Sequence, residues 1–182
     1  MNHSTRILMK RSSAGKIAYL GLLTSLAVIM GYVEYLIPFR FPVPGVKLGL
    51  ANVVIVPVLY WFGLPAALIV SVIRILISGI LFGNAFGVLY SLFGTLLSLL
   101  TMELLRKTES FSVIGVSAAG GAMHNLGQII AAMVITGTPA VIRYLPVLLV
   151  AGDITGCLIG FISAMLLKRV SPDSAGLRIK DQ

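Results

Sequence analysis

Apolar stretches of about 15 to 24 residues follow one another along nearly the whole chain, each bounded by proline, glycine or charge. A backbone in hydrocarbon has to satisfy its own N–H and C=O groups, which leaves helices or closed barrels. Runs of this length suit helices, since about 20 residues cross a ~30 Å core whereas a barrel strand needs only about ten. Six spans are predicted, at 17–38, 48–62, 64–82, 86–105, 113–136 and 145–167. Composition agrees: 58% of the residues are hydrophobic and 11% charged, against about 45–50% apolar in soluble domains. The fold expected is an all-α integral membrane protein, a six-transmembrane-helix bundle. A basic segment 1–16 precedes the membrane domain 17–167, and a basic tail 168–182 follows, leaving no room for a soluble domain. The second and third spans are short and joined by Phe62-Gly63-Leu64-Pro65; a helical hairpin that does not fully cross is the alternative for this pair.

The net charge of +8 raises the question of nucleic acid, and the placement of the charges answers it. With the N-terminus inside, Arg6, Lys10, Arg11, Lys16, Arg106, Lys107, Lys168, Arg169, Arg178 and Lys180 are cytoplasmic, and only Arg40, Lys47 and Arg143 are outside. Ten against three is the positive-inside pattern, so both termini are expected in the cytoplasm, and nucleic acid is not an expected partner. The first apolar run is too long for a secretory signal core and lacks a small-x-small cleavage pattern. Tyrosines and Trp61 fall near span ends, as interfacial anchors do. The single Cys157 lies in an apolar run, which excludes an intrachain disulfide.

Small residues four apart mark the faces on which membrane helices pack closely. Gly152, Gly156, Gly160 and Ala164 form such a stripe on the last span, and Ala14, Ala18, Gly21 and Ser25 a shorter one on the first. In the fifth span Ser117, Gly121, His124 and Gln128 share one helical face, so the polar side chains of the sequence GGAMHNLGQII are expected to point into the bundle. Asn125, about 100° away, is expected to turn toward a neighbouring helix. Arg74 continues an Ala67, Ser71, Arg74, Ser78 face in the third span and needs an inward orientation and a partner. Measured from the outer span ends, Arg74, Gln128 and Asp153 fall in one layer roughly 12 Å deep, with Asn52 and Glu34 shallower and His124 deeper. The layer reads as a cavity open to the outside, and Asp153 is the expected counter-charge of Arg74. The alternative is that these polar groups only hold helices together.

The connection 39–47 carries Arg40 and Lys47 together with Pro42, Pro44 and Gly45. It reads as a gating loop that draws an anionic ligand to the mouth, or as an interfacial loop with snorkelling cations. No second histidine or thiol stands at ligand spacing to His124, so no metal site is expected, and no cofactor either. The six acids, Glu34, Glu103, Glu109, Asp153, Asp173 and Asp181, include no aspartate-rich cluster. Metal-dependent chemistry on a diphosphate uses such clusters to hold Mg²⁺, and with no P-loop or nucleophile triad present the chain is not expected to be an enzyme.

The stretches Pro44-Gly45-Val46-Lys47-Leu48-Gly49-Leu50-Ala51-Asn52, Arg74 with Gly79 and Phe82-Gly83, residues 112–121 with His124-Asn125-Leu126-Gly127-Gln128, and Tyr144-Leu145-Pro146-Val147-Leu148-Leu149 resemble the bacterial family called component I of heptaprenyl diphosphate synthase, or Gx transporters. That family is similar in size and hydropathy to the substrate-binding S components of energy-coupling factor transporters. The resemblance implies a six-helix bundle that binds a small molecule from outside and docks on a coupling subunit driven by ATPases, with Ala14-x-x-x-Ala18 resembling the docking motif. The leading expectation is therefore a transporter subunit binding a polar or anionic ligand through Glu34, Asn52, Arg74, His124, Asn125, Gln128 and Asp153. The alternative is a non-catalytic accessory subunit partnering a prenyl synthase in isoprenoid-quinone synthesis, and a third reading is a membrane component of a flavin or quinone electron-transfer system.

Overall fold

The computed structural model describes residues 3–37 and 49–170, with side chains from Ala14 onward. The expected gating residues Arg40, Pro42, Pro44, Gly45 and Lys47, and nearly all of the tail 168–182, lie outside the described residues. The described chain is all helical: α1 His3–Leu36, α2 Asn52–Phe82, α3 Ala85–Lys107, α4 Val113–Thr136 and α5 Leu145–Arg169, with a 3-10 turn Pro139–Tyr144 ahead of α5. Each of the five is long and apolar enough to cross a membrane. α1 starts well before residue 17, so the basic segment continues the first span as helix.

Local chemistry sets the ends. Asn84 Oδ1 accepts the Gly87 N–H at 2.8 Å at the start of α3, and Ser112 Oγ accepts that of Gly115 at 3.2 Å at the start of α4. Gly137, with φ 61°, stops α4 in the left-handed conformation. Arg106 and Lys107 complement the negative end of α3.

Two expected spans, 48–62 and 64–82, are one helical element here, α2, interrupted at Gly63 with φ 78° and ψ 177°. That conformation is essentially restricted to glycine. The element doubles back there, because Arg74 Nη2 donates to Asn52 Oδ1 at 3.2 Å, whereas 22 residues of straight helix would hold their Cα atoms about 33 Å apart. The first arm, 52–62, is about 16 Å long, half the thickness of the hydrocarbon core. The break falls at the expected junction of the two spans, and the short first arm fits the alternative of a hairpin that does not fully cross, because the chain spends residues 49–51 on a turn inside the bundle instead of beginning a helix at its surface.

The bend sits at the basic end of the bundle. Lys16 Nζ lies 5.5 Å from the centre of the Phe62 ring, and the Arg106 guanidinium 5.8 Å from that of Tyr60. Glu103, buried near the same end, pairs with Arg106 at 3.0 Å and Lys107 at 3.3 Å. At the opposite end of α2, Phe82 meets the rings of Tyr32 and Tyr35.

Packing in the α3–α4–α5 half is backbone against backbone. A Cβ at Gly127 would stand 2.8 Å from Gly94 Cα. On the other side of α4 a Cβ at Gly156 would stand 2.7 Å from Ala118 Cα, and one at Gly160 2.7 Å from Ile114 Cα. The last-span stripe expected to pack does so, against α4. With little hydrophobic drive between helices in lipid, such close approach maximises dispersion contact. α1 is different: Leu23 and Ala27 are buried, while Ala14, Ala18, Gly21 and Ser25 are all exposed.

Candidate functional site

A cavity of about 400 Å³ lies among all five helices. Glu34 and Gly31 of α1, Asn52, Arg74 and Ser78 of α2, Ser91 of α3, His124, Asn125 and Gln128 of α4, and Thr155 and Ile159 of α5 are among its lining residues. Six of the seven side chains expected to bind ligand are therefore brought to one space.

Glu34 is held by the chain that follows α1. One carboxylate oxygen accepts the Gly49 N–H at 2.8 Å and the other the Leu50 N–H at 3.0 Å. Gly49 has φ 71°, a glycine conformation, and its carbonyl accepts the Asn52 N–H at 2.8 Å. Ala51 offers α2 no side-chain cap. Glu34 fills that role from another helix and puts a negative charge at the positive end of the first arm.

Arg74 comes from the second arm. Its Nη2 donates to Asn52, Glu34 is the acid whose charge acts on it, and its Nε is buried without a hydrogen-bond partner. A buried guanidinium N–H without an acceptor is costly, and the cavity is reached from the residue's other atoms. The expected pairing of Arg74 with Asp153 is corrected: Asp153 is exposed and does not line the cavity. Glycine faces of α5 turn toward α4, which rotates Asp153 outward, and Glu34 supplies the counter-charge. Asn52 is also deeper than expected, level with Arg74, because of the turn at 49–51.

On α4 the polar face divides. Asn125 Nδ2 donates to the Leu148 carbonyl at 2.5 Å, tying α4 to α5 as its offset suggested. Gly121 also faces α5, while His124 and Gln128 pass against Gly94 of α3, where a Cβ would lie 3.1 Å from His124 Cε1 and 2.9 Å from Gln128 Cγ. Gly94 thus leaves the room that lets both reach the cavity. Ser78, Ser91 and Thr155 were not expected as lining; two of them carried a signal in their spacing, Ser78 on the Arg74 face and Ser91 in the Gly87, Ser91, Thr95 series of α3.

Among the described residues, no three His, Cys, Asp or Glu side chains gather to hold a metal ion. The arrangement can donate hydrogen bonds to an acid group from Arg74 and offers amide and hydroxyl groups around it.

No curated protein and no solved structure matches this chain. The family model that does match, heptaprenyl diphosphate synthase component I, runs over residues 23–166, from the middle of α1 nearly to the end of α5 and across every residue of the cavity, so the chain belongs to that family.

Proposed function

We propose that this protein is a non-catalytic membrane subunit of a larger assembly, and that its part is to bind a small polar or anionic molecule in the cavity described above. The observation that carries the reading is the convergence of Glu34, Asn52, Arg74, His124 and Gln128 from three helices on one space large enough for a ligand. Glu34, Asn52, His124 and Gln128 complete the site; Asn125 serves the α4–α5 seam. The basic end of the bundle faces the cytoplasm by the positive-inside rule, which opens the cavity toward the outside of a bacterial inner membrane.

Two assemblies fit such a subunit. The family description favours the accessory component of a prenyl diphosphate synthase, with a separate synthase subunit supplying the metal-binding acids this chain lacks. The second is an S-component-like role in a small-molecule transporter. The exposed Ala14, Ala18, Gly21 and Ser25 favour it, since a Cβ at Gly21 would meet nothing within 4 Å and a partner helix could approach closely.

Native mass spectrometry of gently extracted protein tests both levels. A bound small molecule present in the wild type and lost from Arg74→Ala and Gln128→Ala variants that still insert is the expected result; undiminished occupancy refutes the site. Co-purification with a soluble prenyl synthase supports the first assembly, and co-purification with ATPases the second.

A further inference from the structure

Asp153 is an acid on the outside of the bundle. Its neighbour Gly152 packs on α4, where a Cβ would stand 2.6 Å from the Gly121 carbonyl oxygen and 2.7 Å from Asn125 Nδ2. Gly121 is eight residues from the start of α4 at Val113, and Asn125 eleven from its end at Thr136, which sets Asp153 about 12 to 16 Å from either end of that helix. The depth comes from helix register, and it is the middle of the membrane. Around Asp153 the α5 surface is apolar and outward: Val150 is 61% exposed, Ile154 58% and Leu158 60%. Among the described residues Asp153 has no hydrogen bond or ion pair. A carboxylate on a lipid-facing surface at this depth is costly, and its side chain is too short to reach the headgroups.

We infer that this face of α5 is a docking surface for a transmembrane helix of a different protein, one that carries a lysine or arginine near mid-membrane. Charge complementarity selects that occupant. A second copy of this chain has no described cation at this depth on an outward face: Arg74 faces the cavity, Lys16, Arg106, Lys107, Lys168 and Arg169 belong to the basic end, and Arg143 precedes α5. Two copies meeting through this face would oppose Asp153 to Asp153. The surface lies on a different helix from the small residues of α1 and does not depend on what the cavity binds.

The test reconstitutes the full chain, labelled with a donor fluorophore, in phosphatidylcholine vesicles with acceptor-labelled polyleucine transmembrane peptides. One peptide carries a single central lysine and one has none. The lysine peptide is expected to associate about fivefold or more tightly than the plain one, the fold-change that corresponds to ~1 kcal/mol for a polar contact between helices in lipid. Asp153→Asn and Asp153→Leu should erase the difference; neither change removes a contact within the bundle, and retained association of α4 with α5 is checked by Asn125-dependent unfolding. Equal association of the two peptides, absence of association, or a lysine preference that survives Asp153→Leu overturns the inference. So does donor–acceptor transfer between two copies of the chain that depends on Asp153.

Discussion

Replacing Glu34 probes the joint between α1, α2 and the cavity. The Glu34→Ala change removes an acceptor from two backbone N–H groups, at 2.8 and 3.0 Å, and takes away the charge opposite Arg74. A hydrogen bond to a charged group contributes about 1.5–3 kcal/mol, and two of them set an upper bound near 6 kcal/mol. The side chain is only partly buried and borders a cavity that water can enter, so re-solvation of the freed amides and screening reduce this to about 2–4 kcal/mol. Glu34→Gln keeps one carbonyl oxygen as acceptor and should cost about half as much. Reversible unfolding in mixed micelles, followed by the fluorescence of Trp61, measures both, and amide exchange at Gly49 and Leu50 should quicken in the same order. In an Arg74→Ala background the loss from Glu34→Ala should shrink, since one of the interactions is already gone. A Glu34→Ala protein within about 0.5 kcal/mol of wild type, close to ordinary surface substitutions, refutes the tertiary cap. Glu34→Gln destabilising more than Glu34→Ala refutes it equally.

Three further substitutions test the frame. Gly63→Ala places a Cβ at φ 78° and ψ 177° and should cost about 1–3 kcal/mol in the same unfolding assay. Gly152→Leu drives a side chain into the backbone of Gly121 and should destabilise by at least about 1–3 kcal/mol, with loss of cross-linking between cysteines placed on α4 and α5. Asn125→Ala removes the bond to the Leu148 carbonyl and should cost about 0.6–2 kcal/mol, which the same unfolding assay reads.

The limits of α3, α4 and α5 are legible from sequence because chemistry marks them: Asn84 and Ser112 cap, Gly137 terminates, and Lys168 and Arg169 close the last apolar run. Arg74, His124 and Gln128 are legible as inward residues because each continues a face of small or polar groups. The partner of Arg74 is not. Asp153 follows Gly152 directly, so a rotation of about 100° separates a cavity residue from an outward one, and only the fit of Gly152, Gly156 and Gly160 onto α4 decides it. The Glu34, Gly49 and Asn52 cluster is hidden for another reason. Helical periodicity measures depth along a span, and the turn at 49–51 has no such period, so nothing in the order of residues says how far inside the bundle it lies.

The backbone seams of α4 have a consequence for how chains of this family can diverge. Gly94, Gly121, Gly127, Gly152, Gly156 and Gly160 leave no space for even a methyl group against the neighbouring backbone. A single change at any one of them must move two helices, and no compensating change of side chain on the opposite helix can make room. These positions therefore have no path of gradual substitution. The exposed side of α1 has the opposite freedom: its residues touch little within the chain, so selection there comes from whatever lies outside it. Variation among family members should be sparse along the glycine seams and freer along the exposed side of α1.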